Sequence, residues 1–265
     1  MPNSGEEAAE LAHRWRMEQM ELRSQHEETD RISFTVSEAD STISGLERVG
    51  GVDISYPKDL AHEAGGTAVV TLVVLSFPAL EVLYEVTESV PIDTPYVAGF
   101  LAFREIAAYR QAFARLLSAR PQLAPQIVLV DGNGTLHPQR FGSACHLGVA
   151  LDIATVGVAK NYLHIDDLAG IDARGLKRLF AAPSDDGRCS RDVKLVGTSG
   201  VCYGMAVAPA GSDAVNPVFV SVGHRVSLQT AVAVVRACSI HRIPEPIRIA
   251  DQRSRALLRS IHQEH

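Results

Sequence analysis

Four carboxylates stand where a carboxylate needs a reason. Asp53 interrupts an apolar strand between Val52 and Ile54, and strands are depleted in Asp. Asp131 closes the apolar run Ile127 to Val130, immediately before Gly132. Taken singly, Asp53 fits a solvent-facing position on a half-exposed sheet. Asp131 fits a turn residue whose side chain bonds the backbone of Asn133 or Gly134. Glu105 falls one turn into a helix that begins near Gly99, and Asp251 lies in the last helix with Arg255 four residues on. Either is explained alone by a surface ion pair. Converging from two strands and two helices, the four would make a hard, all-oxygen site suited to Mg²⁺ or Mn²⁺. Two ions there can activate a water and stabilise the leaving oxygen of a phosphodiester.

Cations follow the acids. Lys160 and His224 come directly off strand ends and are candidates for phosphate contact, while His137 and Arg140 follow the Asp131 turn. Arg248, Arg253, Arg255 and Arg259 read as the solvated face of the final helix. The turn Pro95-Tyr96-Val97-Ala98 precedes Glu105. An aromatic there can wedge into a base stack beside a flipped base, although alone it is simply a Pro-led turn.

The elements that must position these residues are legible as changes of period. Beyond Gly5 the stretch 5–29 lacks Gly and Pro and predicts a helix with Ala8, Leu11, Ala12, Trp15 and Leu22 on one face. Val52, Ile54 and Tyr56 alternate with polar residues, Thr67 to Leu75 is continuously apolar or β-branched, and Leu80 to Val86 alternates again. That predicts an antiparallel meander. A helix over 99–118 follows, with Phe103, Ile106, Phe113 and Leu117 on one face. Next come strand 127–130, a short helix near 141–150 and strand 155–158. Residues 164–191 read as loop and short helix. Strands at 193–196, 202–207 and 218–222, a helix capped by Ser227 and a last helix opened by Pro244-Glu245-Pro246 complete the chain. The order argues for one α/β domain, a mixed sheet covered by helices on both sides.

Composition narrows the function classes. The chain has 265 residues, 46% hydrophobic and 21% charged, as in an ordinary globular protein. A net charge of -6 argues against bulk electrostatic attachment to nucleic acid, though not against a local basic groove. Four scattered cysteines without a CxxC pair argue against a cysteine zinc site and for a reducing compartment. Neither a signal-peptide h-region nor an apolar run of membrane-spanning length is present. P-loop, dinucleotide-binding, serine-hydrolase and HExxH signatures are absent.

The segments VGGVDISY, TPYVAGFLAFRE, VLVDGNGTLHPQRFGSACHLG, VGVAK, SVGHR and RIPEPIRIAD occur in that order from Val49 to Asp251. Together they resemble the endonuclease V family, and ACHLG and the N-terminal helix are closest to its animal members. The resemblance implies an RNase H-like mixed sheet in a single domain (31–260), with an extra N-terminal helix (1–30) and a short tail (261–265). It implies Mg²⁺-dependent cleavage, with Mn²⁺ able to substitute, at the second phosphodiester 3′ to inosine. Carried over by residue, Asp53, Glu105, Asp131 and Asp251 are the metal ligands and Lys160 the active-site lysine. Tyr96 is the wedge, in Pro-Tyr-Val-Ala where the family has Pro-Tyr-Ile-Pro. Leu101, Gly132, Gly142 and Leu163 surround the hypoxanthine pocket, and Ser143 stands where a branched apolar residue is usual. The expected partner is inosine-containing RNA, and a monomer is the default. The alternatives are a deoxyinosine-specific DNA repair endonuclease and a non-catalytic reader of inosine-containing RNA. The cytoplasm is the expected location, with the nucleus or nucleolus as the alternative.

Overall fold

Residues 4–37, 39–57, 64–181, 192–208 and 216–263 are described by the computed structural model. Helix α1 (Ser4–Arg23) precedes a two-residue ladder of β1 (Thr35–Val36) and β2 (Ile43–Ser44). The meander is β3 (Arg48–Ser55), β4 (Thr67–Ser76) and β5 (Val82–Pro91), followed by α2 (Leu101–Ala119). Then come β6 (Ile127–Asp131), α3 (Ser143–Leu151), β7 (Thr155–Ala159) and α4 (Ala173–Ala181). The chain closes with β8 (Val193–Val196), β9 (Cys202–Val207), β10 (Val218–His224), α5 (Leu228–Ala237) and α6 (Glu245–Gln263).

Eight strands form one mixed sheet in the order β5-β4-β3-β6-β7-β10-β9-β8. Only the β3–β6 and β6–β7 pairings are parallel, the others in the sheet being antiparallel. Parallel strands are buried on both faces and therefore read as continuous apolar runs, as Ile127 to Val130 does. One face packs on α2 and α3 through Val52, Val70, Leu72, Val130, Tyr109 and Leu147. The other face packs on α5 and α6 through Val49, Leu129, Val156, Val220, Val234 and Ile247. No helix among the described residues is long and apolar enough to cross a membrane.

Two packing details set the site. A Cβ on Gly51 would lie 2.3 Å from the backbone of Pro246, so glycine there lets the start of α6 rest directly on β3. A Cβ on Gly157 would lie 2.3 Å from the Gly134 amide, so the turn after β6 folds back over β7.

Several expectations are corrected in detail. Helix α1 stops at Arg23 rather than near 29. The next residues pair their backbone with the end of β10 instead, Arg225 N–H donating to Glu27 O and Arg31 N–H to Arg225 O. On α2 the buried stripe is Ala108, Tyr109, Ala112, Phe113 and Leu116, and Leu117 is 50% exposed. The alanines let the helix lie close to the sheet, which rotates the stripe away from the one expected. Of the 164–191 stretch, a one-turn 3₁₀ helix (Asp166–Leu168) and α4 are formed. Residues 182–191, with Cys189, and the last two residues of the tail lie outside the described residues.

Candidate active site

Strand register alone brings the first two acids together. Val52 of β3 is level with Val130 of β6, and each strand carries an Asp at its next position. Asp131 is level with Val158 of β7, and Lys160 follows two residues later. All three therefore sit at the carboxyl ends of parallel strands, where open α/β sheets place their ligands. Helix α6 starts against Gly51 and runs along β3, which delivers Asp251 to the same place.

The result is a tight cluster. Carboxylate oxygens of Asp53, Asp131 and Asp251 lie within 4.8 Å of one another. Lys160 Nζ donates to Asp131 Oδ2 at 2.5 Å and to Asp251 Oδ1 at 2.7 Å. Asp251 also pairs with Arg255 at 2.9 Å. Glu105 is buried nearby but stands outside the three-acid group, its Oε2 accepting from the Ser143 hydroxyl at 3.2 Å. Asp53 and Glu105 are 6% and 5% exposed, which excludes the surface explanations that each had in isolation.

Burial dominates the electrostatics. It pushes the Asp53 carboxyl up to about 7, the Asp131 charge adding to it and the Ser254 hydroxyl opposing it. It pushes Glu105 up to about 8 despite the Ser143 hydrogen bond, with Asp53 and Asp131 adding their repulsion. At Lys160 burial works against the ammonium, but Asp131 and Asp251 outweigh it and raise the pKa. Buried acids that repel one another are costly unless a cation compensates them. The all-oxygen donor set and its spacing fit a small hard divalent ion.

A hydroxyl pair that composition does not reveal supports the cluster. Ser254 is fully buried on α6, three residues after Asp251. Its hydroxyl donates to Asp53 Oδ2 at 2.6 Å and lies 2.8 Å from the Ser55 hydroxyl. Ser254 has one proton to give, so Ser55 is the donor in that second contact.

The acids head a cleft of about 1020 Å³. Tyr96 and Leu101 line it on the α2 side, with Tyr56 and Arg104, whose guanidinium lies 4.3 Å over the Tyr56 ring. Arg255, Leu258, Arg259 and His262 of α6 line the opposite side. Arg255 and Arg259 read from the sequence only as a solvated face, and Leu258 and His262 were unmarked, because a basic stripe on a helix normally faces water. A stripe continuing from Asp251 at helical spacing was the available signal.

The remaining expected residues are placed as follows. Gly132 directly follows Asp131, and the Gly142 N–H donates to Gly134 O at 3.0 Å, closing the turn on itself. Leu163 is half-buried against the cluster of Leu168, Leu176 and Phe219, beyond Lys160. Two of the expected residues stand apart from the acids. His224 is 2% exposed and level with Thr155, whereas Phe219 is level with Ala159. Strand β10 is antiparallel, so His224 lies at the end of the sheet opposite Lys160, where its Nδ1 accepts the Glu27 N–H at 3.2 Å. Arg140 is turned inward, donating to Cys202 O at 2.8 Å and to Glu28 at 2.6 Å. With Gln19 donating to Phe141 O at 2.9 Å, it ties the N-terminal segment to the loop before α3, while Trp15 stacked on Phe103 ties that segment to α2.

The sequence pattern of the Endonuclease V family matches residues 30–252. The chain is 42% identical to Endonuclease V of Mus musculus over 245 residues, 92% of this chain and 69% of that protein. It superposes on the crystal structure of the catalytic domain of human Endonuclease V with a TM-score of 0.83 at 41% identity, covering 96% of this chain and 98% of that one. Ciona intestinalis Endonuclease V, solved with a 23mer DNA containing an inosine followed by a ribo-adenosine, gives a TM-score of 0.82 at 35% identity, covering 95% and 98%. Sequence and architecture agree over the segment that carries the acidic cluster, and the chain belongs to the Endonuclease V family.

Proposed function

We propose that this protein is a Mg²⁺-dependent endonuclease that cuts the second phosphodiester 3′ to inosine, in single-stranded RNA in preference to DNA. The observation that carries the reading is the Asp53–Asp131–Asp251 cluster with Lys160 at the head of a cleft that opens toward Tyr96. A non-catalytic reader has no use for mutually repelling buried acids.

Asp53, Asp131 and Asp251 hold the divalent ion, Mg²⁺ or in its place Mn²⁺, and Glu105 faces them from α2. The ion supplies electrophilic stabilisation of the phosphodiester and lowers the pKa of water. Lys160 holds the scissile phosphate from the β7 side. Tyr96 fills the stack left by the extruded base, whose extrusion is least costly in an unpaired strand. Gly132 and Gly142 present backbone to the base, with Leu101 and Leu163 beside it. Hypoxanthine lacks the exocyclic amine of guanine, and a tight backbone-lined pocket leaves that amine no room and no acceptor.

The preference for RNA is supported by the ribo-adenosine that follows inosine in the Ciona complex. A 2′-hydroxyl both donates and accepts, so it gives backbone groups a handle that DNA lacks. Placing one ribonucleotide 3′ to deoxyinosine in a DNA strand is expected to raise the cleavage rate at least about tenfold, or about 1.4 kcal/mol of barrier. Equal single-turnover rates for that strand and all-DNA would move the assignment to deoxyinosine repair. Tyr96→Ala is expected to weaken binding of inosine strands by about 1 kcal/mol, roughly fivefold, the low end for a stacking residue whose ring is partly buried. Fluorescence anisotropy measures it, and unchanged affinity would make Tyr96 a turn residue only.

A further inference from the structure

A second groove, of about 350 Å³, begins at Lys160 and leads away from the acids. Its walls are the chain from Lys160 to Tyr162, the face of α4, and the start of β10 with Arg242. Lys160, Arg174, Lys177 and Arg242 line it, and no acid does among the described residues. In a chain of net charge -6, that is a local concentration of positive charge.

The groove is built rather than incidental. Arg242 pins its two walls together, Nη2 donating to Lys160 O at 2.6 Å and to Pro217 O at 3.1 Å, and Nε to Asn216 O at 3.0 Å. Tyr162 and Phe219 pack ring against ring at 5.7 Å within it. On α4, Leu176 and Phe180 turn into the core, whereas Arg174 and Lys177, three residues apart and therefore on one flank, are exposed over the groove. The neighbouring acid, Asp172, is engaged in starting the helix, its Oδ1 accepting the Gly175 N–H at 2.5 Å.

We infer that this groove carries the single strand on the 3′ side of the cut, Arg174 and Lys177 meeting its phosphates. The inference rests on the function proposed above, which fixes the direction. With the base beside Tyr96 and Leu101 and the scissile phosphate at Lys160, a strand followed in the 3′ direction crosses the acids and leaves past Lys160. There the groove starts.

The test is single-turnover cleavage of inosine RNA by the full chain in Mg²⁺, with a fixed 5′ flank. Lengthening the 3′ flank from about two to about ten nucleotides should lower the half-saturating enzyme concentration of the natural protein about tenfold, because added phosphates release counterions. In the Arg174→Gln/Lys177→Gln variant that gain should fall below about threefold, and the slope of log affinity against log salt should drop by about 1.4, two charges at about 0.7 each. An undiminished gain in the variant overturns the inference. So does a gain that follows the 5′ flank instead, or one abolished by Arg259→Gln, which would route the 3′ strand along α6. Preference for inosine over guanosine on the short strands is a separate readout. If it is intact while the gain is unchanged, the groove alone fails; if it is absent, the proposed function fails and the groove with it.

Discussion

Asp131→Asn is expected to abolish Mg²⁺-dependent cleavage while leaving inosine-strand binding in place. Asparagine keeps the size and shape of the side chain at the end of β6, so the turn through Gly132 to Gly134 has no reason to move. What is lost is one of three charges whose oxygens lie within 4.8 Å of one another. A hard ion needs that charge far more than it needs a neutral amide oxygen. A fall of at least about a thousandfold in the single-turnover rate, about 4 kcal/mol of barrier, is expected. Lys160 keeps its contact with Asp251 at 2.7 Å, so the cation remains in the cleft. Removing a negative charge from a surface that meets phosphates does not weaken attraction for the strand. Binding is therefore expected to stay equal or tighten, measured by anisotropy. Near-normal cleavage would show that these carboxylates do not hold the catalytic ion.

The sequence made Asp53 and Asp131 conspicuous because both sit in apolar runs, where a charge stands out against its neighbours. What it left open was whether the two runs are adjacent, and that depends on the parallel pairing of β3 with β6, which no local period encodes. Strand direction was equally hidden. Lys160 and His224 looked alike, each basic and each at a strand end, yet β7 and β10 run in opposite senses and carry them to opposite ends of the sheet. Arg140 looked like a free cation after a glycine-rich turn, but its backbone sits at φ +53° and its guanidinium is held by Cys202 O and Glu28. Periodicity gave the helices of the closing pair well, since Ser227 does cap α5 by accepting the Thr230 N–H at 3.1 Å. It read Arg255 and Arg259 of α6 as solvated, and both are exposed, but it did not show that their stripe also borders the cleft. Whether a basic stripe meets water or a cleft is decided by the contact at Gly51 and Pro246, a long-range packing fact.

Ser254→Ala is expected to lower Mn²⁺ affinity about ten- to a hundredfold without unfolding the protein, the usual effect of removing a group that orients a metal ligand. The Ser254 hydroxyl is a short, charge-assisted donor to Asp53 Oδ2 at 2.6 Å, preferred over its alternative acceptor, Asp251 O at 3.1 Å. Without it the nearest hydroxyl to Asp53 Oδ2 is that of Ser55 at 3.4 Å, whose proton no longer has Ser254 as its acceptor. The carboxylate is then free to rotate away, and its pKa, already raised to about 7 by burial and by Asp131, loses the hydrogen bond that opposes the rise. Both changes disfavour the ionised, oriented form that a cation needs. Alanine is the better helix former and leaves only a hydroxyl-sized space, so the thermal midpoint without metal should change little. Affinity is read from the free Mn²⁺ signal in an electron paramagnetic resonance titration, independently of cleavage. Unchanged affinity with reduced cleavage would assign Ser254 to substrate positioning, and unchanged values of both would leave it a packing residue of α6. A loss of affinity at constant midpoint would show that α6 contributes two things to the site: the ligand Asp251 and, one turn later, the hydroxyl that aims the ligand on β3.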